Sequence, residues 1–502
     1  MHRFLRSHIG FYLWLLTFIG CPLTSYGASS SLPQNSPQNQ IAKPAQDHTI
    51  PALMVSDIHF DPFHDPAKLQ QLVDAPVSRW NAILSASPSL KQKQAFADLQ
   101  QSCHARGVDT SYTLLRSSLD AMRSRQPDAK FMTVSGDLLA HGFTCRYSTL
   151  LPRLTQSDYE EFVLKTIRFV LGELRQSFPG VPIYVALGNN DSACGDYRLD
   201  ADSDFLARIG RIVAEGLPPS DRQQEMTEFA KNGSYSVTMA PLVQDTRFIV
   251  LDDLFLSSEY STCSGKQNST AANGEMTWLR DQLVQARRLG QKVWVMGHIP
   301  TGIDPYSTVM RFRNVCGRGR PVMFQSSSRL ANLLIEYADV TRLGIFAHTH
   351  MDEIRLLEPE NRKLHSSSGD SVAIKMIPSI SPVDGNDPSF TVAYVNPATA
   401  MLRDYEVIAA SNRTGIGTTW SREYDYARAY HQPQFSPSAV RKLVAGLQAD
   451  PREKKKASQR YIRYYLIGDR SPELKPFWKQ YVCALANYTA ETYAACVCSI
   501  TK

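Results

Sequence analysis

Short apolar runs alternate with amphipathic segments along most of this chain. Residues 51–55 are mostly apolar and predict a buried strand that closes at Asp57. A mixed excursion over 61–105 follows, with a helix expected near 91–100. Leu114, Leu115, Leu119 and Met122 recur at helical spacing and predict a helix over 110–125, stopped by Pro127. A short strand is expected over 129–134. Phe162, Ile167, Val170, Leu171 and Leu174 then place a second helix over 158–178, and 181–187 reads as the next strand. Further helices are expected over 199–215, 274–289 and 329–337. Further strands are expected over 235–239, 247–251, 292–296 and 343–347, the first two as a hairpin or sheet edge. From 354 to 407 strand-like runs follow one another without clear helices, and 436–500 reads as helical. Alternating helix and strand followed by consecutive strands predicts an α/β fold, a sandwich of two sheets flanked by helices. The principal domain is expected over 49–410, with a C-terminal helical subdomain over 411–502 packed on it.

The N-terminus reads differently. His2, Arg3 and Arg6 precede an apolar stretch over 11–20 that is too short to span a bilayer comfortably, and Ser25-Tyr26-Gly27 offers small residues before a cleavage point. This predicts a signal peptide over 1–27 and a secreted or periplasmic protein. The alternative is a lipoprotein site with Cys21 acylated. Residues 28–48, rich in Ser, Pro, Gln and Asn, are expected to be a disordered linker. No other stretch is long and apolar enough to form a membrane helix. The formal net charge is +6, and Arg3 and Arg6 supply two of it, so the remainder is too mild to imply a nucleic-acid polymer as partner. Eight cysteines beyond Cys21 favour disulfides in an exported chain, but they allow on the order of a hundred pairings and sequence does not choose among them.

The chemistry collects at the ends of the predicted strands. Five apolar runs each close on a metal-ligand residue type: Asp57 and His59, Asp137, Asn189, His298, then His348 and His350. Ligands gather beyond the carboxyl ends of strands in α/β folds. On an extended backbone Asp57 and His59, two residues apart, would face the same side. Each residue alone has a structural reading, Asp137 as a cap, Asn189 as a turn residue and His298 as a satisfied buried histidine. Together they predict a metal site.

Asp57-x-His59, Gly136-Asp137, Gly188-Asn189, Gly297-His298 and His348-Thr-His350 resemble the motif blocks of the calcineurin-like metallophosphoesterases. Gly136-Asp137-Leu-Leu-Ala-His141, Gly297-His298-Ile-Pro300 and His348-Thr-His350-Met-Asp352-Glu353 resemble the acid sphingomyelinase and sphingomyelinase-like phosphodiesterase branch, without its saposin domain. The resemblance covers roughly residues 50 to 410. It implies two divalent ions, zinc first, with manganese or iron as alternatives. Asp57, His59 and His350 would hold one ion, Asn189, His298 and His348 the other, and Asp137 would bridge them. A hydroxide between the ions would attack phosphorus in line. His141 is implied as general acid or transition-state stabiliser. Cys483 and Cys496 match a late disulfide of the branch.

Most relatives carry a histidine where this chain has Asn190, in Gly188-Asn189-Asn190-Asp191, and an amide cannot titrate. His141 could take over proton donation, or the substrate could carry a good leaving group. The substrate is expected to be a small phosphate ester or a phospholipid head group, with soluble nucleotide-type or phosphocholine-type esters leading. The same block is similar to that of endopolyphosphatases, which keeps phosphoanhydride hydrolysis as an alternative, alongside a non-catalytic binding protein that retains the fold. Arg311, Arg313, Arg318 and Arg320 form a basic cluster that could hold an anionic substrate tail or be a solvated loop tied down by a disulfide. Lys454 to Lys456 read as a solvated helix face.

Overall fold

Fourteen strands form in the computed structural model, which describes residues 48–153, 155–359, 370–468, 471 and 474–501. The expected signal peptide, Cys21 and all but the last residue of the expected linker lie outside the described residues. In chain order the strands are β1 (Ile50–Val55), β2 (Met132–Ser135), β3 (Ile183–Ala186), β4 (Tyr235–Thr238), β5 (Thr246–Val250), β6 (Lys292–Met296), β7 (Ile303–Asp304), β8 (Val322–Met323), β9 (Thr341–Phe346), β10 (Ile354–Leu357), β11 (Val372–Met376), β12 (Ser389–Val395), β13 (Leu402–Ala410) and β14 (Trp420–Asp425). Two six-stranded mixed sheets result, one in the order β14-β13-β12-β1-β2-β3 and the other β10-β11-β9-β6-β5-β4. β1, β2 and β3 run parallel, as do β5, β6, β9 and β11. The short pair β7–β8 is antiparallel and separate from both sheets.

Period-two alternation explains how the second sheet is buried on both faces. Phe248, Trp294, Met296, Leu343 and Ile345 join the large core shared with the first sheet. Their neighbours Ile249, Val293, Val295 and Phe346 turn the other way, onto Leu279 and Leu283 of helix Ser269–Arg288 and Leu330 and Leu334 of helix Arg329–Glu336. Across the shared core the Tyr184 ring meets Phe248 edge-on at 4.9 Å, and Trp294 stands 5.9 Å from Phe131. The Trp294 indole N–H donates to the Ala400 carbonyl at 2.8 Å, so this buried ring keeps its polar group satisfied. The first sheet is covered by helices Tyr112–Arg125 and Gln156–Ser177, where the sequence placed them. The second of these starts at a capping box, with Thr155 and Asp158 exchanging side-chain and backbone hydrogen bonds.

The sheet does not stop at residue 410. β14 continues it by pairing with β13, inside the segment expected to be helical. Its sequence, Trp420-Ser-Arg-Glu-Tyr-Asp425, is charged and half exposed, as an edge strand requires, and its weak apolar pattern hides it. Helices follow at Tyr426–Tyr430, Pro437–Gln448, Lys456–Tyr465, Trp478–Ala484 and Ala490–Thr501. Lys454, Lys455 and Lys456 are exposed. Described residues on both sides of 410 share one compact unit. The reason lies in the tail of the last motif block. Asp352 is buried against the Lys375 ammonium and the Tyr424 hydroxyl, and its backbone N–H donates to the Tyr465 carbonyl at 3.0 Å. Glu353 is buried against Arg355, Nε to Oε1, at 2.5 Å, and Leu356 N–H donates to Leu485 O at 2.8 Å. Buried charges this well paired are costly to break singly, about 3–5 kcal/mol. They fasten the C-terminal helices beneath the strand end that carries His348 and His350.

The eight cysteines form four disulfides, Cys103–Cys145, Cys194–Cys263, Cys316–Cys498 and Cys483–Cys496. Among the described residues no helix is long and apolar enough to cross a membrane.

One buried carboxyl gives the fold a pH dependence. Glu225 is buried, its Oε2 has no hydrogen-bond partner among the described residues, and burial together with the charges of Glu228 and Asp221 pushes its pKa up to about 9. The folded state therefore favours the protonated acid. The associated stability is complete below the unfolded pKa of 4.5 and is lost as pH rises toward about 9. Glu225→Gln should flatten this fall, read as a higher thermal midpoint than the parent at alkaline pH and near equality below the unfolded value.

Candidate metal centre

The carboxyl ends of five parallel strands point at one place. Asp57 and His59 follow β1, Asp137 follows β2, Asn189 follows β3, His298 follows β6, and His348 and His350 follow β9. The chain turns sharply there. Asp57, His59, Asp137, His348 and His350 all have positive φ, between 43° and 72°. Non-glycine residues occupy this region at a cost, and runs of them mark sites where position outweighs backbone comfort. The extended-backbone reading of Asp57 and His59 is thereby corrected: β1 ends at Val55, and it is two left-handed residues, not a pleat, that bring both side chains together. Two glycines make room. A Cβ on Gly136 would stand 2.8 Å from His298 Nδ1, and one on Gly188 would stand 2.1 Å from Asp137 Oδ1.

Two donor sets share one carboxylate. In the first, His59 Nε2 lies 3.1 Å from His350 Nε2, 3.4 Å from Asp137 Oδ2 and 3.8 Å from Asp57 Oδ1, and His350 Nε2 lies 3.4 Å from Asp57 Oδ1. In the second, His298 Nε2 lies 3.2 Å from Asp137 Oδ2, 3.1 Å from Asn189 Oδ1 and 3.3 Å from His348 Nδ1. Asp137 Oδ2 thus faces both sets. All seven residues named from sequence converge.

The tautomers are set from behind. His59 Nδ1 donates to Leu139 O and His298 Nδ1 to Ser135 O, each at 2.7 Å. His350 Nδ1 stands 3.0 Å from Asp384 Oδ2, and His348 Nε2 stands 3.1 Å from the Tyr197 hydroxyl. Asn189 Nδ2 donates to Asp196 Oδ1 at 2.7 Å, which turns its oxygen toward His298. The inward-facing nitrogens of His59, His298 and His350 and the Asn189 oxygen are therefore lone-pair donors. Lone pairs 3.1 Å apart, as at His59 and His350, repel unless a cation or proton lies between them. Both oxygens of buried Asp57 have no hydrogen-bond partner among the described residues. Burial alone would lower the basicity of His59 and His298, but the Asp137 carboxylate overrides it and pushes them up to about 9 and about 10. Such a pocket asks for positive charge. Imidazole, carboxylate and amide ligands suit zinc, manganese or iron. Asp384→Asn should weaken metal binding by about 10–100-fold while leaving all seven donors in place, measured by competition with a chelator.

His141 and Asn190 flank this centre. The His141 ring stacks on His59 with centroids 3.9 Å apart. Its Nδ1 pairs with Asp109 Oδ1 at 2.9 Å, and its backbone N–H donates to Asp109 Oδ2 at 2.9 Å. Asp109, fully buried, also accepts from Ser381 Oγ and faces Arg146. His141 Nε2 is left toward the cleft, 2.9 Å from Arg106 Nη2. Asn190 instead turns inward, donating from its backbone N–H and its Nδ2 to the two oxygens of Asp137, both at 2.9 Å. Asp191 accepts from Gly188, Leu138 and Leu139 N–H groups and ties the ends of β2 and β3 together. Sequence alone missed Asp109, Arg106, Tyr197, Asp196 and Asp384, because nothing local marks them.

A cleft of about 480 Å³ opens over the centre. Arg106, His141 and Asp384 line it beside the first donor set, and Tyr197 and Phe324 line it beside His348. Tyr306, Tyr465 and Tyr481 complete its aromatic wall, with Glu259 and Asp304 as acidic members. Arg311, Arg313, Arg318 and Arg320 do not themselves line the cleft, but Arg311 Nη2 lies 3.6 Å from Glu259, which does.

Comparison with known proteins agrees with this geometry. The family profile described as calcineurin-like phosphoesterase matches residues 50–352. Mouse acid sphingomyelinase-like phosphodiesterase 3b is 25% identical over 463 residues, covering 88% of this chain and 89% of the relative. Mouse cyclic GMP-AMP phosphodiesterase SMPDL3A is 24% identical over 402 residues, covering 78% and 82%. Sphingomyelinase phosphodiesterase D of Dictyostelium discoideum is 25% identical over 329 residues, covering 64% and 66%. The chain belongs to the calcineurin-like phosphoesterases, in their acid sphingomyelinase-like phosphodiesterase branch, and is a metal-dependent phosphoester hydrolase.

Proposed function

We propose that this protein is an exported phosphodiesterase that works through two divalent metal ions on soluble nucleotide-type or phosphocholine-type esters. The observation that carries it is Asp137 Oδ2, which stands 3.4 Å from His59 Nε2 and 3.2 Å from His298 Nε2 and so belongs to both donor sets. Asp57, His59 and His350 would hold one ion, Asn189, His298 and His348 the other, and Asp137 both. When bound, such ions lower the pKa of water and neutralise charge on a phosphate. The chain's own residues do the rest. Asn190 holds both oxygens of Asp137 and fixes the orientation of the shared carboxylate. Asp109 takes the Nδ1 proton of His141, which leaves Nε2 toward the cleft as the acceptor of Arg106; in its protonated form the ring would give a proton to a departing oxygen. Four disulfides fit an oxidising compartment and support export.

The walls of the cleft bear on substrate. Arg106 suits a second phosphate beyond the one cleaved, and the tyrosines offer stacking surfaces to a base. Tyr306 and Phe324 with Asp304 and Glu259 would suit a choline cation instead. Asn190 at a position that cannot titrate favours a phosphate leaving group, which needs little protonation, and for that reason phosphoanhydride hydrolysis stays as a second reading. A panel of nucleoside triphosphates, a nucleoside-diphosphate choline, polyphosphate and sphingomyelin vesicles, assayed with and without chelator, separates these. Metal-dependent turnover of the nucleoside triphosphates and the nucleoside-diphosphate choline is the expected result, and turnover of polyphosphate alone would favour the second reading. Turnover of sphingomyelin alone, or of none of them, would contradict the reading.

A further inference from the structure

The segment between β7 and β8 is a largely exposed helix and loop whose composition the metal centre does not use. Residues 305–325 carry four arginines and no Asp or Glu. Exposed large apolar side chains concentrate there too: Tyr306 is 49% exposed, Met310 54% and Phe312 92%. Tyr306 and Met310 are four residues apart on helix Pro305–Met310 and share a face. Phe312 follows with φ 51°, a left-handed conformation that is unusual for a bulky residue, and its ring is left in solvent. Burial is not denied to the loop in general. Val315 packs with Ile303, Met323, Tyr493 and Cys496, and Cys316 is bonded to Cys498. Gly317 and Gly319 N–H groups both donate to Asn314 O at 3.1 Å, closing the turn between the arginines. The loop is thus stapled at its midpoint, between Arg313 and Arg318, and presents Met310, Phe312 and the guanidinium groups outward.

Among the described residues Arg311 has one acidic neighbour, Glu259 at 3.6 Å, and no carboxylate pairs with Arg313, Arg318 or Arg320. Exposed apolar side chains interleaved with unpaired cations match a bilayer interface, where rings enter the acyl boundary and guanidinium groups meet anionic head groups. A polyanion in solution would use the arginines but would leave Phe312 and Met310 without a role. We propose that the 305–320 loop docks the protein on anionic lipid bilayers. Tyr306, which lies at one end of the loop, also lines the cleft, so docking would hold the cleft mouth near the membrane surface whatever its substrate.

The test is co-sedimentation of the full chain with vesicles of phosphatidylcholine alone and of phosphatidylcholine with about 30 mol % phosphatidylserine. The protein should bind the anionic vesicles and not the neutral ones, and added salt should weaken binding. Arg313→Gln with Arg318→Gln should lower binding about 25-fold, at roughly fivefold per charge. Phe312→Ser should lower it about tenfold. All these positions are exposed, so thermal midpoints should match the parent. Equal or absent binding to the two vesicle types by the unaltered protein would overturn the proposal without recourse to any variant. Full binding by Phe312→Ser, with loss only in the arginine variant, would equally overturn it in favour of a bare polyanion surface.

Discussion

Asp137→Asn should abolish the ability to hold two ions and reduce hydrolysis by at least about a thousandfold. Among the described residues Asp137 alone has an oxygen within 3.4 Å of both His59 Nε2 and His298 Nε2, and its two oxygens are both held by Asn190. The amide keeps the shape but removes the negative charge that offsets two adjacent cations. Loss of metal-derived stabilisation is worth several kcal/mol, and about 4 kcal/mol corresponds to roughly a thousandfold. The direct readout is metal content, which should fall from two ions per chain to one or fewer. Wild-type content with wild-type rate would remove Asp137 from its bridging place. A folded variant is expected, because the neutral amide also relieves buried Asp191, whose carboxyl burial and the Asp137 charge together push up to about 7.

His141→Gln should cost about 10²–10³-fold on esters with alkoxide leaving groups and little on a nitrophenyl ester. His141 stacks on His59, is held by Asp109 and keeps Nε2 toward the cleft. The amide at Asn190 is engaged with Asp137 and cannot titrate, which leaves His141, stacked on His59, as an imidazole at the centre outside both donor sets. A leaving group that departs as a stable anion needs no proton, so the contrast between the two esters isolates proton donation from positioning. An equal loss on both would make His141 a positioning residue for the phosphate. Arg106, 2.9 Å from Nε2, would then be the better candidate for the group that meets the substrate's charge.

How much of this was legible beforehand follows from how local each signal is. The seven donors stand directly after strands, and the strands were visible because Val55, Val134, Val185, Val295 and Ile345 sit in short apolar runs. Order along the chain therefore carried the centre. The supporting residues were silent because they are tertiary. Asp109 lies in a polar stretch more than thirty residues before His141, and Asp384 lies in a loop after β11. Their partners exist only once the sheets assemble. The backbone at Asp57 and His59 was misread because local pattern does not reveal positive φ outside glycine. β14 was hidden by its charges, and its edge position explains them. The arginine cluster was visible, but its place on the loop beside the cleft-lining Glu259 was not.

The Asp352-Glu353 tail of the last block shows the same division. As sequence it marked a branch of the family. In the fold it anchors Tyr424, Lys375 and the C-terminal helices under His350, so the cleft gains Tyr465 and Tyr481 from segments more than a hundred residues away. A branch signature can thus be structural in mechanism and still shape substrate contact.

One carboxylate is shared by two donor sets, and the stoichiometry of activation tests most directly whether each set holds an ion. Chelator-treated protein would be titrated with a divalent ion while hydrolysis of a soluble phosphodiester is followed. The account predicts that activity rises to a plateau at two equivalents per chain. A plateau at one equivalent, or full activity with none, would contradict it.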